Sequence, residues 1–174
     1  MKSSASTVNV LEVPSSVVTK LTVLGATGSI GLNTLEIVRQ FPQKFKIEAL
    51  SCQSSIERLV EQIKEFQPRL VCVDNSEQAR ELRETFREGN SGTETEFVWG
   101  VEGLVQVSSD PEVDLVVAGI VGAVGLQPTY SAVQAGKKVA VANKEPLVMA
   151  GELFVQKANK TGAKLLPTDS EHNA

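Results

Sequence analysis

A turn rich in glycine near the amino terminus has the residue spacing of a pyrophosphate site. Glycines stand at positions 25, 28 and 31, between an apolar run at 21–24 and a segment with helical periodicity at 34–38. In such a turn the chain reverses at Gly25, a pyrophosphate approaches the backbone at Gly28, and helix packs on strand at Gly31. Free N–H groups at the start of the helix bind the anion. The GxxGxxG spacing differs from the commoner GxGxxG, and a tight turn without a ligand has the same pattern.

The segment after the second predicted strand indicates which dinucleotide binds. An NAD enzyme carries Asp or Glu about twenty residues beyond the glycines, to bond the ribose 2′-hydroxyl. This sequence has Gln53, Ser54 and Ser55 there, followed by Arg58. Hydroxyls and a guanidinium can bind a 2′-phosphate, so the segment favours NADP. A structural explanation also fits, since Ser55 is a good N-cap for a helix at 56–66 and Arg58 could simply be solvated.

A second candidate segment joins an amide, an ammonium and a carboxylate, in Asn143, Lys144 and Glu145. These residues follow an apolar run, and ligands of parallel sheets bind beyond the carboxyl ends of the strands. The three groups could hold a cofactor and an anionic substrate oxygen together. A solvated loop would accommodate the same residues.

Two carboxylates near the end of the sequence have the spacing of a metal site. Asp169 and Glu171 lie two residues apart with Ser170 between them, so an extended chain places both carboxylates on one side. Mg²⁺ and Mn²⁺ prefer such ligands, together with substrate oxygens and water. The same spacing is common on protein surfaces. His172, the only histidine, has no evident orienting partner and is expected to be structural rather than a general base.

Alternating strands and helices are predicted to position these segments. Short apolar runs alternate with amphipathic stretches after residue 20, which predicts an α/β fold, a doubly wound parallel sheet of the Rossmann-like, NADP-binding kind. A helix is predicted at 29–40 and should stop at Phe41-Pro42, because proline cannot continue it. The predicted strands are 21–24, 46–50, 70–73, 97–99, 113–118, 138–142 and 164–166.

Composition and charge exclude several classes of function. The chain has 174 residues, 41% of them hydrophobic, and a net charge of −4, which offers no electrostatic footprint for nucleic acid or an anionic membrane. No apolar run reaches the roughly 18 residues of a membrane span. Cys52 and Cys72 are too few for a disulfide framework, so they are expected to be buried thiols in a reducing, cytoplasmic compartment. Residues 1–19 lack a secretory apolar core and are predicted to be a loose leader.

Three motifs together resemble the amino-terminal part of the 1-deoxy-D-xylulose 5-phosphate reductoisomerase family. They are GATGSIG, AGIVGAVGLQPTYSAVQAGKKVAVANKEPLV and LLPTDSEHNA, in this order, and the resemblance covers about residues 20–174. It implies an enzyme that converts 1-deoxy-D-xylulose 5-phosphate to 2-C-methyl-D-erythritol 4-phosphate for isoprenoid biosynthesis, with NADPH and Mn²⁺ or Mg²⁺. It also implies a sugar phosphate as the small-molecule partner, a homodimer at full length, and the plastid stroma as compartment in a plastid-bearing source.

The resemblance further implies a role for each motif residue. Asp169 and Glu171 would ligate the metal, a Lewis acid for rearrangement of the substrate skeleton before hydride reduction. Lys144, Ser170 and Glu171 would bind substrate, and Lys144, Asp169 and Glu171 would be catalytic. The implied cofactor-binding residues are Gly25, Thr27, Gly28, Ser29, Ile30, Gln53, Ser54, Ser55, Asn143 and Glu145.

The sequence departs from the family pattern in two places. Many members carry a Gly-Lys/Ser-Asn type segment where this chain has Gln53-Ser54-Ser55, so the resemblance defines the 2′-phosphate contacts less well than the pyrophosphate contacts. Members also continue well past the SEHNA motif. The expected organisation is a dinucleotide-binding domain at 20–163 and the start of a catalytic domain at 164–174, in a fragment inactive alone. The alternative is an NADP-binding module without catalytic activity.

Two other dehydrogenase classes share the opening turn but lack their own signatures here. A short-chain dehydrogenase needs Tyr-x-x-x-Lys, whereas Tyr130, the only tyrosine, is followed four residues later by Gln134. An aspartate-semialdehyde-type dehydrogenase needs a nucleophilic cysteine near the nicotinamide. Cys72 is predicted inside a strand, and Cys52 lies at the adenosine end.

Overall fold

Strands and helices alternate along the chain. A computed structural model of the protein describes residues 17–88, 94–142 and 145–168. The strands are β1 (Thr19–Leu24), β2 (Phe45–Ser51), β3 (Leu70–Val73), β4 (Glu96–Trp99), β5 (Leu115–Ala118), β6 (Lys138–Val141) and β7 (Lys164–Pro167). The helices are α1 (Ser29–Gln40), α2 (Ile56–Phe66), α3 (Ser76–Glu88), α4 (Gly100–Ser109), α5 (Leu126–Gln134) and α6 (Glu145–Thr161).

The seven strands form one parallel sheet in the order β4-β3-β2-β1-β5-β6-β7. The direction in which strands are added reverses between β1 and β5. Ligands of such sheets bind in the crevice at this switch point, beyond the carboxyl ends of the strands. The predicted doubly wound sheet is confirmed, and its crevice lies where the glycine turn leaves β1.

Helices cover the sheet on both faces. Buried Leu35 and Leu59 pack α1 and α2, together with α3, on one face. Buried Val133 and Phe154 pack α5 and α6, together with α4, on the other. Right-handed crossovers account for this division, because reversing the direction of strand addition moves the following helices to the opposite face. Val23 in the central strand β1 is fully buried, as expected for a strand covered on both sides.

Prolines mark the ends of two helices. α1 ends at Gln40, as predicted, because Pro42 lacks an N–H group and its ring would clash with the preceding turn. α2 ends before Pro68, with Gln67 in the left-handed conformation at φ 47°. The residue before a proline is disfavoured in the right-handed helical region, which accounts for this sharp exit.

Several strand bounds differ from the predicted ones by one or two residues, and one helix begins with a different geometry. β5 begins at Leu115 rather than at residue 113, because the Val113 N–H donates to the Asp110 carbonyl in a turn at 3.1 Å. The sequence also predicts a helix at 125–135. This segment is preceded by a 3-10 turn, Ala123–Gly125, and becomes α-helical only at Leu126.

The predicted domain division is only partly covered by the described residues. Most of the expected leader, residues 1–16, lies outside them, and Thr19 is already part of β1. β7 pairs with β6 as an edge strand of the same sheet. The expected domain boundary after residue 163 stays a prediction. Among the described helices, none combines the length and apolarity that a membrane span requires. Cys52 and Cys72 are free and buried, as predicted.

Candidate dinucleotide-binding site

The fold requires glycine at two positions of the turn between β1 and α1, but not at the third. Gly25 has φ +80°, which L residues rarely adopt, and a Cβ there would lie 3.1 Å from the Gly119 carbonyl oxygen. A Cβ at Gly31 would lie 2.4 Å from the Gly25 carbonyl oxygen. Gly28 is extended at φ −81°, and its Cβ would meet only one atom, at an ordinary 3.5 Å. A glycine is needed at position 28 only if a ligand approaches the turn from outside.

The amino end of α1 is open to an anion. Its first N–H groups have no intrahelical partner, its N-cap Gly28 provides no side-chain cap, and its first turn contains no acidic residue. Gly28, Ser29 and Ile30 are exposed, and Thr27 is half-buried. The positive end of the helix dipole is therefore accessible at the switch point, as a phosphate site requires.

Residues of β2 and α2 hold the turn from its inner side. The Ser51 hydroxyl accepts a hydrogen bond from the Gly25 N–H at 2.9 Å, and the Ser51 carbonyl accepts one from the Ala26 N–H at 2.8 Å. Gln62 Nε2 donates to the Ala26 carbonyl at 3.0 Å. Thr27 Oγ1 lies 3.3 Å from the Cys52 sulfur. The backbone of the turn is thus fixed before any ligand binds.

Ser51 and Gln62 were not predicted from the sequence as site residues. A signal for Gln62 exists, because it falls with Leu59 and Ile63 among the buried positions of α2. A polar side chain there needs a buried hydrogen-bond partner. A serine at the end of a strand gives no comparable signal.

The residues predicted for the 2′-phosphate surround an open groove at the start of α2. The groove has a volume of about 450 Å³ and is lined by Ser54, Ser55, Ile56, Glu57 and Arg58. Ser55 makes no side-chain cap hydrogen bond, so helix capping does not account for it. The Arg58 side chain is not simply solvated, because its Nη1 donates a hydrogen bond to the Thr27 carbonyl at 3.1 Å. Gln53, just before the groove, is exposed, and its carbonyl accepts a hydrogen bond from Gln78 Nε2 at 3.2 Å.

The carboxyl ends of four strands lie in one row beside the glycine turn. The register aligns their last residues, Leu24, Ala118, Val141 and Pro167. Each pairing continues for one more residue, since the N–H groups of Gly119, Ala142 and Thr168 donate to carbonyls of the neighbouring strands at 3.0, 3.3 and 3.1 Å. The chain therefore leaves β1, β5, β6 and β7 at the same edge of the sheet.

The remaining predicted site residues continue from these strand ends. The described residues do not include Asn143, Lys144, Asp169, Ser170, Glu171 or His172. Glu145 begins α6. The described residues contain no cluster of three His, Cys, Asp or Glu side chains that could hold a metal. Metal and substrate binding by the segments after β6 and β7 therefore stays a prediction.

A second cavity, beside α1, does not suit a phosphate. It has a volume of about 460 Å³, and its lining is mainly aliphatic, with Leu21, Ile37, Val117 and Ala140 among the contributing residues. None of the described residues that line it is charged. Phosphates are bound by cations and by N–H donors, so the start of α1 and the start of α2 are the better candidates.

Cys72 is unsuited to nucleophilic catalysis. Burial, together with the nearby carboxylate of Asp74, raises the pKa of the Cys72 thiol to about 12. The reactive form of a cysteine is the thiolate, so this thiol is inert near neutral pH. This result agrees with the expectation from the sequence that Cys72, inside a strand, is not a nucleophile.

Comparisons with known proteins give one consistent result. A family model described as 1-deoxy-D-xylulose 5-phosphate reductoisomerase matches residues 21–151. The reductoisomerase of Dechloromonas aromatica (strain RCB) is 51% identical over 160 residues, which are 92% of this chain and 40% of the relative.

Solved structures agree with this match. A DOX-P reductoisomerase crystallised with NADPH, fosmidomycin and magnesium has a TM-score of 0.84 at 45% identity, covering 90% of this chain and 38% of that one. The enzyme from Zymomonas mobilis in complex with NADPH has a TM-score of 0.82 at 34% identity, covering 91% of this chain and 40% of that one. The chain thus spans about 40% of the length of these relatives.

Proposed function

We propose that this chain, which belongs to the 1-deoxy-D-xylulose 5-phosphate reductoisomerase family, binds NADPH across the switch point of its sheet. Gly28 carries the proposal, because neither its backbone conformation nor its packing requires glycine, and it caps the open end of α1. A pyrophosphate there accepts hydrogen bonds from the helix N–H groups and is stabilised by the helix dipole. Gly25, Thr27, Ser29 and Ile30 complete this part of the site.

The 2′-phosphate of the cofactor is assigned to the groove at the start of α2. Ser54 and Ser55 offer hydroxyl donors, and Arg58 offers a guanidinium, the group that best matches phosphate geometry. Glu57 also lines the groove, so discrimination depends on directed hydrogen bonds rather than on net charge. Gln53 precedes these residues and belongs to the same part of the proposed site.

Cofactor preference gives the first prediction. The chain should bind NADPH more tightly than NADH by about 1–2 kcal/mol, a factor of roughly 5 to 30, because one or two charge-assisted hydrogen bonds reach the 2′-phosphate. Arg58→Gln should reduce this ratio towards one. Lys64→Gln, which removes an exposed cation near the other end of α2, should leave the ratio unchanged. Titration calorimetry measures all the constants, and equal affinities of the unaltered chain for NADPH and NADH would contradict the assignment.

Substrate and metal are assigned to the segments after β6 and β7. Lys144, Ser170 and Glu171 bind the sugar phosphate, and Asp169 and Glu171 ligate Mn²⁺ or Mg²⁺. Two observations support the assignment: these segments leave the sheet at the edge that carries the glycine turn, and a solved relative was crystallised with NADPH and magnesium together. When bound, the nicotinamide supplies a hydride, and the metal polarises substrate oxygens. Asn143 and Glu145 contact the nicotinamide side of the cofactor.

The activity that we propose for the full-length protein is conversion of 1-deoxy-D-xylulose 5-phosphate to 2-C-methyl-D-erythritol 4-phosphate. The small-molecule partner is the sugar phosphate, and the full-length assembly is a homodimer. The chain spans about 40% of its relatives' length and contains the proposed NADPH site, so cofactor binding without turnover is the second candidate.

Two assays separate the candidates. NADPH binding is measured first on the 174-residue chain. NADPH oxidation with 1-deoxy-D-xylulose 5-phosphate and Mn²⁺ is then measured on this chain and on a fusion with the remaining part of the Dechloromonas aromatica relative. Turnover by the fusion supports the reductoisomerase, binding without turnover in both supports the module, and absence of NADPH binding contradicts both.

A further inference from the structure

We propose that Gln62 and Ser51 are positioning residues that orient the glycine turn towards the cofactor pyrophosphate without contacting the cofactor. The inference rests on the NADPH site proposed above. We call these two residues the turn brace. They come from α2 and from the end of β2, and their exposed fractions are only 3% and 2%. Both therefore act from beneath the turn.

The turn brace fixes successive peptide groups of the turn. Ser51 accepts hydrogen bonds from the N–H groups of Gly25 and Ala26, at 2.9 and 2.8 Å. Gln62 Nε2 donates to the carbonyl of Ala26 at 3.0 Å. Since the described backbone contains no cis peptide bond, the carbonyl and the N–H of one peptide group point in opposite directions. The bond from Gln62 therefore turns the N–H of Thr27 outward, towards the proposed pyrophosphate.

The N–H donor of the Gln62 side chain, rather than the size of that side chain, explains why an amide is present at this position. Gln62 Oε1 is buried and has no hydrogen-bond partner among the described residues. An unpaired buried acceptor is destabilising, and methionine, of similar volume, would fill the same place among Leu59 and Ile63 without one. The amide supplies a donor for the Ala26 carbonyl, whose residue is fully buried.

Thr22 offers a matched control for the loss of a buried hydrogen bond. It lies on β1 just before the turn, is fully buried, and donates through Oγ1 to the Val107 carbonyl of α4 at 2.7 Å. Thr22→Val and Gln62→Met each leave one buried carbonyl without its side-chain donor. Only Gln62→Met releases a peptide group of the glycine turn.

The test compares these variants in the 174-residue chain, by titration calorimetry and by thermal unfolding. Gln62→Met should weaken NADPH binding by about tenfold, the effect of one hydrogen bond lost from the bound state. NADH binding should weaken by the same factor, because both dinucleotides share the pyrophosphate. Thr22→Val should lower Tm to a similar extent and bind both dinucleotides normally.

Each alternative outcome has a distinct meaning. Normal NADPH binding by Gln62→Met overturns the positioning role. An equal loss of NADPH affinity in Thr22→Val also overturns it, because the effect would then come from general destabilisation. If Gln62→Met does not fold, Ser51→Ala gives the same comparison, because it removes only the acceptor of the Gly25 N–H; normal binding by that variant also overturns the role. Failure of the unaltered chain to bind NADPH contradicts the proposed function instead.

Discussion

At the scale of single residues, the three glycines of the turn after β1 differ in the physical constraint on each position. Gly25 is required because its φ is positive. Gly31 is required because a Cβ there would lie only 2.4 Å from the Gly25 carbonyl oxygen. Gly28 has neither constraint, which is why its glycine is assigned to the proposed pyrophosphate on the outer surface of the turn. This difference allows the structural and binding roles of the motif to be separated by mutation.

Gly28→Val should abolish NADPH binding while the chain stays folded, because the branched side chain would occupy the place of the pyrophosphate. Gly31→Ala should fail to fold or should be strongly destabilised, since backbone atoms lie within 2.6 Å of the added methyl group. Circular dichroism and calorimetry distinguish the two variants. A folded Gly28→Val that binds NADPH normally would show that the motif is only a turn.

The thiol of Cys72 gives a prediction on pH dependence. Burial raises its pKa to about 12, so it stays protonated well above the range in which an exposed thiol ionises, near 8.5. Alkylation of Cys72 by iodoacetamide in the native chain should therefore stay slow between about pH 7 and pH 9. Peptide mapping by mass spectrometry, with urea-unfolded chain as the reactive control, measures the rate. Rapid native labelling at pH 8 would contradict the burial argument.

At the scale of secondary structure elements, α1 and α2 carry the two parts of the proposed cofactor site and are joined on their exposed side. Arg39 of α1 donates to both carboxylate oxygens of Glu65 of α2, at 2.6 and 2.7 Å, and its guanidinium lies 5.3 Å from the centre of the Phe66 ring. Hydrogen bonding to Arg39 lowers the pKa of the Glu65 carboxyl. The pair is well formed but accessible to water, so its effect on stability should be small.

Arg39→Gln should lower the free energy of unfolding by less than about 1 kcal/mol near pH 7. Because the pKa of Glu65 is lower in the folded state, its contribution is complete above the ordinary carboxyl value of 4.5 and is lost as the pH falls through the folded-state value. The difference from the unaltered chain should therefore shrink in acid. Urea unfolding at pH 7 and pH 3 measures it. Arg80→Gln, which removes a more exposed pair with Glu77, is the control, and a difference that grows in acid would contradict this reasoning.

At the scale of the whole molecule, the sheet brings together segments that are far apart in the sequence. β1 and β5 are adjacent across the switch point, and the ends of β6 and β7 continue the same edge. The glycine turn and the two segments with the predicted substrate and metal residues therefore start from one side of the sheet. This arrangement allows one site to receive a cofactor, a substrate and a metal.

Asp169→Asn tests the proposed metal site in the fusion with the remaining part of the Dechloromonas aromatica relative. Turnover should fall by at least about a hundredfold, because the amide keeps the shape of the side chain but loses an anionic ligand. NADPH affinity should change little, since the pyrophosphate is assigned to the turn after β1, which β5 and β6 separate from β7 in the sheet. Asp74→Asn, an exposed carboxylate after β3, is the matched control. Normal turnover of the Asp169→Asn fusion would show that this carboxylate is not a ligand.

Local sequence patterns determined most of the elements and the location of the turn. Runs such as 70–73 are apolar because both of their faces are buried, and that pattern is visible without any knowledge of neighbours. Pro42 likewise stops α1 through its own covalent geometry. The boundary at Val113 was misplaced because a β-branched run does not show where the hydrogen bonds of a turn replace those of the sheet.

Only the tertiary structure decided which glycines of the turn are required by packing or backbone conformation and which one is not. Gly28 and Gly31 look alike in the sequence, and they differ because Gly31 faces the backbone of the preceding turn at contact distance. Gln62 lies 36 residues from the carbonyl that it bonds, so no local pattern relates the two. Hydrogen bonds and close contacts depend on distances between atoms that the chain brings together only when the sheet is assembled, whereas periodicity and proline geometry are properties of neighbouring residues.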